Sequence, residues 1–231
     1  MRRIVVVLLG EQGWAPPGID PGEWRAALAE DVVDLLATVA QADPAIAGLP
    51  ADRALIEEIA WPGMRRYEVP TRTVLPVFRA AAADGFQQAA VIAADAPDVP
   101  GMILGKLLRP LETKPVAVAP AGSPGPADWP ANTRAPGTSA PGTGAPGTSA
   151  GPGLFGVAAR LPVPDWLIDH DLEMASAMQL RRTAPQPSDV QSTPEWHRLR
   201  GPADLAALDP ALEGWENTRL LLAGRAHRPA R

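Results

Sequence analysis

The chain has 231 residues, a formal net charge of -5 and no cysteine. That length suits one sizeable α/β domain. The acidic balance provides no basic face for a nucleic-acid backbone, and the missing thiols exclude disulfides, Cys-ligated zinc and thiol catalysis. Only Lys106 and Lys114 among the basic residues are lysine. With so much Ala, Gly and Pro, this is the codon bias of a GC-rich genome, so an arginine here carries less functional weight than usual.

Met1-Arg2-Arg3 before the apolar residues 4–9 has the look of a signal peptide. Its apolar core is too short, however, and Glu11 follows at once with no small-residue cleavage site. A first buried parallel strand ended by Gly10 is the better reading. No apolar run approaches the roughly 18 residues of a membrane span, so the expectation is a cytoplasmic protein with no membrane partner. Asp20-Pro21-Gly22-Glu23 combines a cap, a first-turn proline and an early acid. It opens a helix over residues 23–40 with Trp24, Ala27, Leu28, Val32, Leu35, Leu36 and Val39 on one face and Arg25, Glu30, Asp31 and Asp34 elsewhere.

Residues 53–61 fit a short helix or a strand. Residues 71–84 read as a helix stopped by Gly85, and residues 89–94 as a strand cut off by Asp95-Ala96-Pro97-Asp98-Val99-Pro100. A helix over 102–111 and a strand over 115–119 follow. This alternation predicts a three-layer α/β/α sandwich with a mostly parallel, Rossmann-like central sheet.

From about 121 to 152 the composition collapses. Ala135-Pro136-Gly137-Thr138-Ser139, Ala140-Pro141-Gly142-Thr143-Gly144 and Ala145-Pro146-Gly147-Thr148-Ser149 form a pentapeptide repeat. It has almost nothing apolar to bury, so a disordered loop inside a single domain of residues 1–224 is expected, and deleting part of it should move Tm by only a few degrees. Order resumes with a glycine-containing strand over 153–161. A helix over 172–182, a short strand over 196–200, a helix opened by Gly201-Pro202-Ala203-Asp204-Leu205 and a final helix over 212–223 with Trp215, Leu220 and Leu221 inward complete the domain. Residues 225–231 form a basic tail.

The acidic turn is the leading functional feature. Ligands of open α/β sheets bind just past the carboxyl ends of the strands, and Mg²⁺ is typically held by one or two carboxylates together with phosphate oxygens. Asp95 and Asp98 therefore fit a metal-binding pair; equally, Asp98 fits a helix cap and Asp95 an Asx turn. Residues 10–18 fit a nucleotide loop or an ordinary connection. His197, beside Trp196 and two arginines, has the chemistry of a general base or of a structural histidine. The sequence contains no Gly-x-Ser-x-Gly, His-Glu-x-x-His, intact Walker loop or dinucleotide fingerprint.

With those elements in order, the chain resembles the GT-A-like superfamily of nucleotidyltransferases and nucleotide-sugar transferases. The resemblance rests on four features: residues 91–100; the helix and strand after them; residues 153–161 with Pro164-Asp165-Trp166; and residues 199–205. It implies a GT-A-like fold, a Mg²⁺ or Mn²⁺ ion on Asp95 and Asp98 as catalytic and metal-binding residues, and a nucleotide or nucleotide-sugar held near Gly10, Gly13 and Arg25. It departs from the family where Gly10-Glu11-Gln12-Gly13 carries no base, where the Asp-Gly-Gly stretch is replaced by Gly151-Pro152-Gly153-Leu154, and where Arg200-Gly201-Pro202 stands at the last acidic turn. Those departures open the alternative of a catalytically silent scaffold with a protein partner or a homodimer. They also predict weak triphosphate binding by the chain alone. As a solvent-reaching turn residue, Asp95 should tolerate Asn with little loss of thermal stability.

Overall fold

The computed structural model describes residues 1–122 and 153–224; the pentapeptide repeat and the basic tail lie outside the described residues. Eight strands form one sheet: β1 (Arg3–Leu8), β2 (Asp43–Gly48), β3 (Arg65–Glu68), β4 (Gln88–Ala93), β5 (Val116–Gly122), β6 (Leu154–Arg160), β7 (Val190–Ser192) and β8 (Trp196–His197). Their order is β3-β2-β1-β4-β6-β5-β7, with β8 beside the end of β5. Every pairing is parallel except those of β6, which runs antiparallel between β4 and β5. The expected mostly parallel three-layer architecture is what forms.

The layers follow from strand alternation. Ile4, Val6 and Leu8 of β1 pack toward α3 (Val74–Ala83) and α5 (Ala177–Thr183). Val5 and Val7, with Leu9 just beyond, pack toward α1 (Pro21–Thr38), α2 (Arg53–Ile59) and α4 (Gly101–Leu108). The open alternative at 53–61 is thus settled as a helix. At β6, a Cβ on Gly156 would lie 2.9 Å from Ile92 Cγ2 and 3.1 Å from Leu107 Cδ2. Only a residue without a side chain lets α4 approach the sheet this closely.

Several boundaries differ from expectation, each for a tertiary reason. The sequence reading passed over β2, which begins Asp43-Pro44, yet Ala45, Ile46 and Ala47 are fully buried between β1 and β3. β3 and β7 were likewise passed over, being edge strands of four and three residues with little apolar pattern. β5 runs on to Gly122, into residues expected to be loop, because Ala121 N donates to Gly153 O across to the returning chain. The helix expected over 172–182 is confined to Ala177–Thr183, since the Leu172 carbonyl is taken by Leu154 N and Arg198 Nη1. The strand expected over 196–200 is two residues long, and residues 204–207 form only a 3₁₀ turn.

The last helix, α6 (Glu216–Leu222), lies against α1 and starts four residues later than expected. A third cluster of Trp24, Ala27, Leu28, Leu199 and Leu221 covers the side of α1 away from the sheet. Glu30 and Asp31, placed off the apolar face by periodicity, are therefore buried. Asn217 and Thr218, not Leu220, face inward, because the Asp31 carboxylate accepts the amides of Asn217 at 3.0 Å and Thr218 at 2.9 Å. Those amides are among the unsatisfied first-turn donors of α6.

Burial pushes the Asp31 carboxyl up to about 7, against the lowering pull of its bonds to Thr218 and Asn217. The folded state therefore holds this proton more tightly than the unfolded chain. The resulting stabilisation is complete below the unfolded value and lost as the pH rises through about 7. Wild type should accordingly lose stability relative to Asp31→Asn as the pH rises from about 5 to about 8. Paired urea melts at several pH values measure this; a difference independent of pH would mean that Asp31 is ionised in the fold throughout.

Candidate functional site

The carboxyl ends of β1 and β4 open onto a cleft of about 370 Å³, within the size range of small-molecule sites. Gly10, Glu11, Leu49, Arg72, Glu173 and Arg198 are among its lining. A much smaller recess of about 20 Å³ beside it is lined by Gly10, Arg25, Asp95 and Arg198, among others. Three of the five residues singled out from sequence, Gly10, Arg25 and Asp95, line these spaces; Gly13 and Asp98 line neither.

Asp95 and Asp98 both follow β4, and each is engaged from within the protein. Arg198 grips Asp95 in a two-pronged pair, Nε to Oδ1 at 2.6 Å and Nη2 to Oδ2 at 2.9 Å. Asp95 is 7% exposed and Arg198 4%. The Asp95 carbonyl also accepts Leu199 N at 2.7 Å. Arg198 further donates to the Leu154 and Leu172 carbonyls at 3.3 and 3.4 Å and to Glu173 Oε1. Burial alone would push its guanidinium down, but Asp95 and Glu173 outweigh that and hold it up. Asp95 is therefore no solvent-reaching turn residue, and the tolerance of Asn expected from sequence does not follow from its surroundings.

Asp98 is buried too, with Oδ1 3.3 Å from Trp196 Nε1, which donates to it, and 3.0 Å from His197 Nε2. The His197 ring stacks on Trp196 with centroids 5.1 Å apart. Asp98 does not cap α4, whose N-cap is Pro100 without a side-chain bond. Among the described residues, no three His, Asp or Glu side chains converge as a metal-ligand set. Both Asp95 oxygens are committed to a guanidinium, which leaves that carboxylate no free oxygen for a Mg²⁺ or Mn²⁺ ion, whereas Asp98 Oδ2 is buried without a hydrogen-bond partner among the described residues.

Arg25 reaches the loop as expected, donating through Nε to Gly10 O at 2.9 Å, but its Nη2 is committed to Asp52 Oδ1 at 2.8 Å. Burial raises the Asp52 carboxyl, yet the bonds from Arg25 and the Leu49 amide and the charge of Arg72 bring it below the usual range. Gly10 and Gly13 have no left-handed backbone, and a Cβ on either would meet nothing within 4 Å. Nothing local demands glycine there.

Sequence reasoning missed Arg72, which bonds Leu9 O at 3.2 Å, Glu11 Oε1 at 2.9 Å and Asp52 at 3.3 Å. The signal was its place just past a strand end, invisible once β3 was overlooked. Arg198 is one of the two arginines beside His197, where arginine was given little functional weight for compositional reasons. Asp169 and the backbone of His170 serve the start of α3: Asp169 accepts Leu75 N and the Thr73 hydroxyl, and the His170 carbonyl accepts Val74 N.

No protein-family model matches this sequence, and no curated protein does. Solved structures do. A structure named as a candidate nucleotide-diphospho-sugar transferase, from Desulfovibrio desulfuricans G20, superposes with a TM-score of 0.58 at 15% identity over 96% of each chain. The bifunctional IspDF of Campylobacter jejuni matches with a TM-score of 0.53 at 10% identity, over 90% of this chain and 55% of that one. The chain has the fold of the GT-A-like nucleotidyltransferases.

Proposed function

We propose that this chain is a non-catalytic binding protein on a nucleotidyltransferase scaffold, taking a nucleoside- or sugar-sized ligand of low charge in the cleft without a metal ion. One observation carries the reading: around the cleft Arg25, Arg72 and Arg198 already face Asp52, Glu11, Asp95 and Glu173. No surplus cation among them is left for a triphosphate, and charge-assisted contacts are the strong ones in phosphate recognition. Leu8, Leu49 and Leu172 supply an apolar wall instead.

A second reading, a metal-dependent nucleotidyl or nucleotide-sugar transferase, draws support from the placement of Asp95 and Asp98 at the end of β4 and from the solved structures with this fold. It requires Arg198 to leave Asp95.

Calorimetry on the full chain with nucleoside triphosphates, nucleosides, nucleotide sugars and free sugars, with and without Mg²⁺ or Mn²⁺, separates the two. Binding of a nucleoside or sugar indifferent to metal is the expected result. Tight triphosphate binding that needs Mg²⁺ and is abolished by Asp95→Asn would establish the transferase reading instead.

A further inference from the structure

Five oxygens surround one buried guanidinium: both carboxylate oxygens of Asp95, Glu173 Oε1 and the carbonyls of Leu154 and Leu172. Carboxylate and backbone carbonyl oxygens are the donors that hard divalent cations choose. The enclosure is built into the backbone. Gly153 has φ +112°, and a Cβ there would lie 2.9 Å from the carbonyl oxygens of both Leu172 and Glu173, so the chain closes on itself only because this residue is glycine. Glu173 is also held from outside by Arg200 Nη1 at 3.2 Å.

We infer that Arg198 is a built-in counter-cation: its guanidinium fills an oxygen cage whose donors suit a divalent ion and keeps the turn after β4 closed to metal. This rests on the metal-free reading proposed above and gives it a residue. The planar fork satisfies both Asp95 oxygens at once, which a lysine ammonium, a single point charge, does less completely. It arrives on the segment following β8, whose Leu199 amide binds the Asp95 carbonyl, so side chain and backbone together hold the cation in place. A hard ion entering this cage has to displace a charge that is already covalently part of the chain. The cleft therefore keeps its charge balance whatever the metal concentration around it.

The test uses the full chain as wild type, Arg198→Lys, Arg198→Met and Arg198→Met with Asp95→Asn. Mn²⁺ and Ca²⁺ are titrated by calorimetry, and thermal melts are recorded with and without each ion. Wild type and Arg198→Lys should show no ion binding that depends on Asp95. Arg198→Met should bind one ion per chain and melt higher in its presence, and the double variant should lose both effects. A folded Arg198→Met chain blind to both ions would overturn the inference. So would an Arg198→Met chain that no ion restores to the fold, or Asp95-dependent ion binding in wild type. A Mg²⁺-dependent nucleotide signal in wild type that survives Asp95→Asn would sink only the binding-protein reading and leave the role of Arg198 standing.

Discussion

Asp95→Asn is expected to lower stability by about 3–5 kcal/mol, the usual cost of removing one partner of a buried ion pair. The amide offers one acceptor oxygen where the carboxylate offers two. Its NH₂ group faces a guanidinium that is 4% exposed and cannot move into water. For a domain of this size that corresponds to a Tm loss on the order of 10 °C. Glu173→Gln is the control: Glu173 is 46% exposed in its side chain, and a pair with so exposed a member contributes at most about 1 kcal/mol. Thermal and urea melts of both variants decide the matter. An Asp95→Asn protein melting with wild type would show that the carboxylate reaches solvent, as its place in a Pro-containing turn first suggests.

Trp24→Ala should cost about 3–5 kcal/mol, the range for emptying a large buried aromatic site, whereas Trp24→Phe should cost only a fraction of that. Trp24 is fully buried at the centre of the third cluster, edge-on to Trp14 at 6.1 Å. Its Nε1 has no hydrogen-bond partner among the described residues, so the indole N–H contributes nothing that Phe would lose. The residue also matters to the cleft. Trp14, Ala15 and Ile19 of the loop after β1 pack on its cluster, and Gln12 Nε2 ties that loop to Leu199 O at 2.8 Å. Faster protease cleavage within residues 10–19 should accompany the Ala variant. Equal destabilisation by Ala and Phe would reveal an acceptor for the indole and contradict this account.

The site was legible in part. Asp95, Asp98 and Gly10 were singled out because strand ends in an α/β sheet are where loops converge, and a strand end is a local signal; Arg25, on α1, was singled out as the first cation after β1. What each side chain does there was not legible. Asp95 meets Arg198 across 103 residues, and Asp31 meets Thr218 across 187. No spacing rule spans such separations, so a carboxylate free to hold an ion and one clamped by arginine look alike in sequence.

The sequence by itself determined the elements whose signal lies within a turn or two: the apolar runs of β1 and β4, the capped start of α1, the glycine stop after α3, and hence the alternation that makes the sheet mostly parallel. Periodicity suffices there because burial on one or both faces writes itself into neighbouring residues. Only the tertiary structure decided that Asp43–Gly48 is a strand, that β6 runs antiparallel between β4 and β5, and that Glu30 and Asp31 are buried under a second layer. It alone decided that a guanidinium sits in the oxygen cage beside β4. Those outcomes depend on which distant segment arrives to pair or to cover, and the energy of that arrival is shared between residues far apart in the chain.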